Sequence, residues 1–356
     1  MSAAQVPTPA EVASAFRFQA QGCRDTGSAL YAQLLDAAAE DTERGGVVAR
    51  LVADWSGHPV LDALGLRLLG GIHRMVLAGS APRLAPYYPS VGGVADAAAL
   101  WPELVALMEE RFEEVRAALR ERVQTNEVAR AAALLPGFLR IAARTGLQLR
   151  LLELGSSAGL LQFADRYRYE LGPHRWGSEA SRVKIRAEWD GPAPDLAAKL
   201  EVASRLGCDP NPLETGDPAV ALRLQSFVWP EQLERMALLR AAIGFAQGAR
   251  PRIEPIGAAR FLARELAEPV RGVATVVFHS VVWWYIPEAE RAEIVRLVEE
   301  AGARAAADAP LAWLRLEGAT TREAEIRLSL WPGGADGLLG TAHYHGRWVR
   351  WAGAGS

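Results

Sequence analysis

The chain has 356 residues, half of them hydrophobic, so it is long enough for two or more domains with a sizeable core. Its 39 lysine and arginine residues nearly balance 42 aspartate and glutamate residues, and the net charge of −3 excludes the strongly basic balance of many nucleic-acid-binding proteins. The two cysteines, Cys23 and Cys208, form no C-x-x-C pair, which argues against a cysteine-ligated zinc site and a disulfide framework.

The amino-terminal segment MSAAQVPTPAEV lacks the basic and then apolar pattern of a signal peptide. The most apolar run, ATVVFHSVVWWYI, is shorter than the ~20 residues that a membrane-spanning helix needs. We therefore expect a cytoplasmic protein that acts on a small molecule and has neither nucleic acid nor a membrane as a partner.

Residues 10–145 predict helices almost throughout. The segment WPELVALMEERFEEVRAALRER is the clearest case, because its apolar residues recur at steps of four and three and Pro102 fits the first position of a helix. We expect residues 1–145 to form a helical cap domain.

The segment TNEVAR, near the end of this helical region, raises two alternatives. Asn126 and Arg130 are four residues apart and would share one face of a helix, with Glu127 beside them. These three residues are candidates for a lid over a cofactor or substrate. The alternative is a helix cap followed by a surface pair.

The pattern changes at Gly146, after which short apolar or alternating runs are separated by helical segments. This order predicts an α/β domain over residues 146–356, with a mostly parallel sheet, antiparallel carboxyl-terminal strands and a helical insertion at about 192–250. Ligands of such sheets bind at the carboxyl ends of the strands. The predicted strands are LQLRLLEL, RVKIRAEW, RIEPI, VATVVFHSVVWW, LAWLRLE, EIRLSLW and YHGRWVRW.

The glycine turn in LLELGSSAGLL has two interpretations. As G-x-S-x-G it is a hydrolase nucleophile elbow, with Ser157 as the nucleophile. As E-x-G-x-x-x-G it is a cofactor loop, in which Gly155 and Gly159 let the backbone approach a ligand and Glu153 accepts from an amino group or a hydroxyl. A nucleophile elbow follows several strands of its sheet, whereas the residues before this strand are predicted helical, so the cofactor interpretation is favoured.

The sequence E-L-G-S-S-A-G resembles the first motif of the class I S-adenosylmethionine-dependent methyltransferases, with Ser157 where the middle glycine is usual. The resemblance implies a Rossmann-like sheet, S-adenosylmethionine as cofactor, and an acid at the end of the second strand. Glu188 in KIRAEWDG is the candidate for that acid, with Asp190 as the alternative. The cofactor-binding residues implied are Glu153, Gly155, Ser156, Ser157, Gly159, Glu188, His279 and Ser280.

A second resemblance covers nearly the whole chain. The segments TNEVARAAALLPG, LLELGSSAGL, VVFHSVVWWYIP and AHYHGRWVRW resemble a bacterial family known as domain of unknown function 2332. This resemblance implies a methyltransferase-like sheet behind a helical amino-terminal region and brings no substrate with it.

The end of the fourth strand of such a sheet carries the candidate chemistry. His279 is the candidate general base, or alternatively a hydrogen-bonded core histidine, and Tyr285 is a second candidate catalytic residue. Trp283 and Trp284 are candidates for the wall of a substrate pocket, or for ordinary core.

His343 and His345 form an H-x-H pair and would share one face of a strand. The sequence offers no evident third ligand, so we expect them at the edge of the substrate site and expect no metal.

These patterns favour a methyltransferase that uses S-adenosylmethionine and acts on an unknown small molecule. The first alternative is a non-catalytic protein that binds a nucleoside-like ligand or a partner on the same fold. The second is a serine hydrolase that uses Ser157.

Overall fold

A computed structural model describes residues 6–320, 323–334 and 336–353. These residues form two compact units. The first unit comprises the described residues up to Thr125, together with Asp217–Ala237, and the second comprises Asn126–Gly216 and the described residues from Leu238 onward.

Helices dominate the first unit, and two of its first three helices begin at a side chain that caps the free N–H groups of the first turn. Thr8 and Glu11 form a capping box before the first helix, and the Ser28 hydroxyl accepts from the N–H of Tyr31 at the start of the second. In chain order the α-helices of the described residues are α1 (Pro9–Asp25), α2 (Ala29–Glu43), α3 (Val47–Leu51), α4 (Leu64–Leu77), α5 (Ala97–Glu110), α6 (Phe112–Leu119), α7 (Ala131–Thr145), α8 (Pro218–Ser226), α9 (Leu233–Ala249), α10 (Ala258–Glu265) and α11 (Glu288–Ala303).

The helix predicted over WPELVALMEERFEEVRAALRER is two helices in the structure. α5 and α6 meet at Arg111, whose φ of −120° interrupts the helical backbone. Pro102 lies inside α5 rather than at its first residue, because the helix begins earlier, at Ala97, after the side chain of Asp96 has capped it. Of the helices described, none combines the length and the apolar character that a membrane crossing requires.

The second unit is built on one sheet of eleven strands, counted over its described residues, in the order β3-β2-β4-β11-β10-β9-β8-β7-β1-β5-β6. The strands are β1 (Gln148–Leu154), β2 (Arg168–Leu171), β3 (His174–Trp176), β4 (Lys184–Asp190), β5 (Val202–Cys208), β6 (Ile253–Glu254), β7 (Val273–Ser280), β8 (Leu311–Gly318), β9 (Ala324–Trp331), β10 (Asp336–Ala342) and β11 (Trp348–Trp351).

Five neighbouring strands, β6, β5, β1, β7 and β8, are parallel to one another. β9, β10 and β11 continue from β8 as an antiparallel meander, and β4 and β2 then run parallel to β11 and to each other. The structure therefore confirms the predicted mixed α/β chain with a large, mostly parallel sheet, and its carboxyl-terminal strands are antiparallel.

Two features of the second unit differ from the sequence-based expectation. β5 lies inside the segment 192–250, which was expected to be helical, and it pairs directly with β1. α7 lies before residue 146 but belongs to this unit, because it packs on the sheet: the rings of Phe138 and Phe278 are 5.2 Å apart, and a Cβ on Gly137 would stand 2.5 Å from Leu314. The first unit in turn includes residues 217–237 of the expected insertion.

Candidate functional site at the carboxyl ends of four parallel strands

Glu153, near the end of β1, is buried, with 3% of its surface exposed. Burial raises the pKa of its carboxyl group to about 8, although hydrogen bonds with Ser156 and Gln162 act in the opposite direction. Its Oε2 atom has no hydrogen-bond partner among the described residues. The carboxyl group is therefore protonated near neutral pH and lies inside the molecule, whereas the sequence placed it at the open end of a strand.

The two glycines of the turn are required by packing inside the protein. Gly155 has a φ of +65°, and a Cβ there would collide with the side chain of Val282. Gly159 has a φ of +69°, and a Cβ there would stand 2.7 Å from Pro251 and 3.0 Å from Ile253. The glycines alone therefore give no evidence for a ligand, because other parts of the chain already explain them.

Ser157, between these glycines, is a non-glycine residue with a φ of +52°. Such a conformation is uncommon and is concentrated at functional sites. Its hydroxyl Oγ is buried and has no hydrogen-bond partner within the described ranges. A nucleophilic serine needs a base within hydrogen-bond reach, so this geometry gives no support to the hydrolase alternative.

The segment after the glycine turn is not an α-helix. Leu160–Arg166 is a 3₁₀ segment that is interrupted at Phe163. This described segment therefore does not provide the N-terminus of a regular α-helix next to the turn. Asn126 holds the turn instead: its Oδ1 accepts from the N–H of Leu160 at 2.8 Å, and its Nδ2 donates to the carbonyl of Ser156 at 3.3 Å.

Asp209, the residue directly after β5, lies against the same turn. Its Oδ2 accepts from the backbone N–H of Ser157 at 2.9 Å, and its Oδ1 accepts from the N–H of Asn211 at 2.8 Å. The sequence analysis missed this residue because β5, in the segment EVASRLGCD, has weak alternation and only two fully buried positions, Gly207 and Cys208.

Glu188 does not lie next to the glycine turn. It is an exposed residue of β4, and β4 pairs with β2 and β11. The strands β11, β10, β9, β8 and β7 separate β4 from β1 in the sheet. β5 is the neighbour of β1 that follows it directly in the chain, and the acid after β5 is Asp209. Glu188 and Asp190 of β4 therefore do not lie where an acid at the end of the second strand was expected.

His279, near the end of β7, is 1% exposed and forms a pair that the sequence did not indicate. Its Nδ1 lies 2.6 Å from Oε1 of Glu317, near the end of β8. The ring stacks on Trp283, with centroids 5.2 Å apart and an interplanar angle of 12°. The Nε2 atom is buried and without a hydrogen-bond partner in the described part of the chain.

Glu317 also holds the turn after β7. Its Oε1 accepts from the N–H of Val282 at 3.1 Å, and its Oε2 accepts from the N–H of Trp283 at 3.2 Å. A carboxylate that accepts from these donors faces Nδ1 of His279 as an acceptor, so the imidazole proton belongs on Nδ1. In the neutral imidazole with this tautomer, Nε2 carries the lone pair that a general base requires.

The side chains of Glu153 and His279 point to opposite faces of the sheet. Glu153 is in register with Phe278, whose ring contacts Phe138 of α7. His279 follows Phe278 and therefore points the other way, towards Trp313 and the core formed with α10 and α11. A ligand that contacts both residues has to cross the carboxyl ends of the strands.

The residues after His279 form a strained turn. Val281 is β-branched and has a φ of +53°. Trp284 and Tyr285 are 54% and 74% exposed, and the ring of Trp284 lies 6.1 Å from that of Tyr344. Of the two predicted wall residues, Trp283 packs on His279 and Trp284 faces solvent, as does the candidate catalytic residue Tyr285.

Glu127 and Arg130 belong to the second unit, like Asn126. Residues Val128–Arg130 form a 3₁₀ turn rather than an α-helix. The helix face that Asn126 and Arg130 were expected to share is therefore absent from this described segment. Glu127 is buried, and Arg130 donates to the carbonyl of Ser280 at 3.3 Å and to that of Tyr344 at 2.9 Å. Through these contacts Arg130 connects the end of β7 with the turn after β10.

His343 and His345 lie after the end of β10, in a turn rather than on a strand. The N–H of His345 donates to Nδ1 of His343 at 2.9 Å, and the ring of His343 lies 6.2 Å from that of Trp348. Over the described ranges, no group of three histidine, cysteine or acidic side chains is arranged to hold a metal ion.

Comparison with known protein families gives a match over most of the chain. The sequence model of a family described as "Uncharacterized protein conserved in bacteria (DUF2332)" matches residues 13–351. No curated protein and no solved structure matches the chain.

Proposed function

The chain belongs to this uncharacterised bacterial family, and we propose that it is a methyltransferase that uses S-adenosylmethionine and acts on a small molecule. The proposal places the cofactor at the carboxyl ends of β5 and β1. It places the methyl acceptor near the end of β7.

The observation that carries the proposal is the order of the parallel strands. Numbered along the chain, the five strands β6, β5, β1, β7 and β8 stand in the order 3-2-1-4-5, which is the order of the doubly wound Rossmann-like sheets. In such sheets ligands lie at the carboxyl ends of the strands beside the point where the strand order reverses, which here is between β1 and β7, so the proposed cofactor and methyl acceptor lie on its two sides. The turn after the first strand and the acid after the second, Asp209, are the positions that the class I methyltransferase resemblance implies for the cofactor.

The polar groups at this edge fit a nucleoside that carries an amino-acid portion. Oε2 of Glu153 and Oγ of Ser157 are buried and unpartnered among the residues described, and buried polar atoms ordinarily have partners. Asp209 is half-buried and supplies carboxylate oxygens for hydroxyl groups. Because Val282 fills the space over Gly155, the polar side chains rather than the glycines support the fit.

S-adenosylmethionine supplies, when bound, a methyl group on a sulfonium centre. His279 holds a free lone pair at Nε2 for a proton of an oxygen or nitrogen acceptor, and Glu317 keeps the imidazole in the orientation and tautomer that this role requires. Trp283 stacks on the ring and limits its rotation. Glu317 is a positioning residue in this scheme.

Titration calorimetry with S-adenosylmethionine, S-adenosylhomocysteine and adenosine tests the proposal. At pH 7 the Glu153 carboxyl is protonated, so an ammonium group placed beside it should displace about one proton. We expect the binding enthalpy of the first two ligands to differ between phosphate and Tris buffers. Adenosine, which lacks the amino-acid portion, should show no such difference.

Glu153→Gln provides the matched control. We expect it to abolish the buffer dependence and to weaken S-adenosylhomocysteine binding at least about tenfold, while adenosine binding changes little. Failure of all three ligands to bind would overturn the proposal. Binding without proton release would overturn the role of Glu153, and labelling of Ser157 by a fluorophosphonate would restore the hydrolase alternative.

A further inference from the structure

We propose that the first unit contains a second binding site, for a small organic phosphate, in a cleft between α3 and α6 and the segment after α3. This site is independent of the sheet edge and of the methyltransferase proposal. Its lining residues all belong to the first unit.

The cleft has the size of a ligand site. Its volume is about 410 Å³, within the range of ordinary small-molecule pockets of about 300–1,000 Å³. Its residues are Leu51, Asp54, Trp55, Ser56, Gly57, Asp62, Arg67, Arg116, Leu119, Arg120 and Arg122.

The lining has a surplus of positive charge. Four guanidinium groups and two carboxylates face the cleft, which leaves two positive charges without compensation inside it. Arg116 pairs with Asp54, and with Glu113 outside the cleft at 3.8 Å. Over the described chain no carboxylate forms an ion pair with Arg120 or Arg122, so these two side chains account for the surplus.

Arg67 forms the rigid base of the cleft. It is 9% exposed, and its guanidinium donates to the carbonyls of Asp62 at 2.7 Å, Leu119 at 3.3 Å and Arg120 at 3.4 Å. Burial lowers its pKa, the nearby Asp62 carboxylate opposes this effect, and the positive charges of Arg122 and of Arg223 add to it. Charge repulsion of this kind is relieved when an anion binds.

Two residues that line the cleft each carry a buried donor atom without an acceptor in the described part of the chain. The Nε1 of Trp55 and the Nε of Arg116 are buried and lack hydrogen-bond partners within the described residues. The indole of Trp55 also stacks under the guanidinium of Arg67, at 5.0 Å from its ring centroid. The site thus combines unsatisfied donors with a flat aromatic wall.

A phosphate monoester matches these features best. It brings two negative charges and several acceptor oxygens, and arginine forks match the geometry of phosphate oxygens. Its organic portion can pack against the part of the Trp55 indole that lines the cleft. Carboxylates share the acceptor chemistry but bring one charge, so they should bind more weakly.

Calorimetric titration of the full chain with phenyl phosphate, benzoate and phenol tests the site. We expect saturable 1:1 binding of phenyl phosphate that weakens as salt concentration rises, weaker binding of benzoate, and no binding of phenol. Equal affinity for phenyl phosphate and benzoate would overturn the assignment to a dianion. Binding of phenol as tight as that of phenyl phosphate would overturn an anion site altogether.

The double variant Arg120→Gln/Arg122→Gln removes exposed side chains, so it should fold as the parent does. We expect it to bind phenyl phosphate at least about tenfold more weakly. The matched control Arg17→Gln/Arg44→Gln removes two exposed arginines elsewhere in the same unit and should leave affinity within about twofold. If the two double variants bind equally well, or the parent chain shows no saturable binding, the proposal fails.

Discussion

Nδ1 of His279 lies 2.6 Å from Oε1 of Glu317, and the same carboxylate accepts from the backbone N–H groups of Val282 and Trp283. One side chain from β8 thus fixes both the imidazole near the end of β7 and the turn that follows it. Because the side chain of Val282 covers Gly155, this carboxylate also determines how the β7 turn packs on the glycine turn of β1.

Removing that carboxylate should loosen the whole arrangement. Glu317→Ala leaves the Nδ1–H of His279 and two backbone N–H groups without their acceptor, so we expect a loss of about 2–4 kcal/mol in the free energy of unfolding. Urea denaturation measures the loss. Glu325→Ala is the control, because Glu325 stands opposite Glu317 on β9 and makes a partly exposed ion pair with Arg327; it should cost less than about 1 kcal/mol. Equal losses would contradict the role given to Glu317.

Contact with Val282 should make Gly155 more sensitive to substitution than a glycine that has a similar positive φ but no such neighbour. Gly155→Ala combines a φ of +65° with a collision, and we expect it to cost about 3 kcal/mol or more. Gly146 has a φ of +66°, but a Cβ added there would meet no described atom within 4 Å, so Gly146→Ala should cost about 1 kcal/mol.

Val282→Ala in the Gly155→Ala background then provides a double-mutant cycle. It should recover part of the difference between the two glycine variants, measured by chemical denaturation. Absence of any coupling between positions 155 and 282 would show that they do not touch in solution.

Burial of Glu153 should make stability depend on pH. Its pKa is about 8 in the folded chain against an ordinary 4.5, so the folded state holds a proton that the unfolded state has released between these values. The stability that the protonated Glu153 carboxyl contributes to the free energy of unfolding is fully present below pH 4.5 and is lost as pH rises towards 8. The slope is up to about 1.4 kcal/mol per pH unit.

Glu153→Gln cannot titrate, so it should gain stability relative to the parent chain as pH rises from 5 to 8. Denaturation of both chains at several pH values measures the difference. Glu188→Gln, at an exposed position of β4, should follow the parent curve. Parallel curves for the parent and Glu153→Gln would contradict the buried, protonated carboxyl.

Ligand affinity tests whether Asp209, rather than Glu188, is the cofactor-binding acid after the second parallel strand. If Asp209 binds hydroxyl groups of a nucleoside, Asp209→Asn should weaken S-adenosylhomocysteine binding by about tenfold, because a charged acceptor is replaced by a neutral amide. Glu188→Gln should leave the affinity unchanged. The reverse result, with Glu188→Gln weakening binding and Asp209→Asn not, would return the assignment to Glu188.

The sequence alone was enough to locate the strands that carry the candidate site. An apolar run followed by a glycine turn located β1, and the long β-branched run VATVVFHSVVWW, which contains His279, located β7, because strands buried on both faces leave this pattern. It also indicated the helical amino-terminal region and the antiparallel end of the sheet.

What the sequence left open is which strands are neighbours. RVKIRAEW alternates clearly and was predicted to be the strand that carries the second acid, yet β11, β10, β9, β8 and β7 separate it from β1, while the weakly patterned β5 pairs with β1. As a result Asp209, and not Glu188, lies beside the glycine turn. The Glu317 carboxylate was likewise invisible, because it is 38 residues from His279 in the chain.

The physical reason lies in the range of the interactions. Hydrophobic periodicity reports whether a segment is buried and with what local geometry, since it depends on residues a few positions apart. Strand order, register and the pairing of Glu317 with His279 depend on contacts between segments joined by long crossovers, and any strand of suitable apolarity satisfies the local pattern. The sequence therefore determined the elements of this protein, and tertiary packing determined which of their polar ends meet.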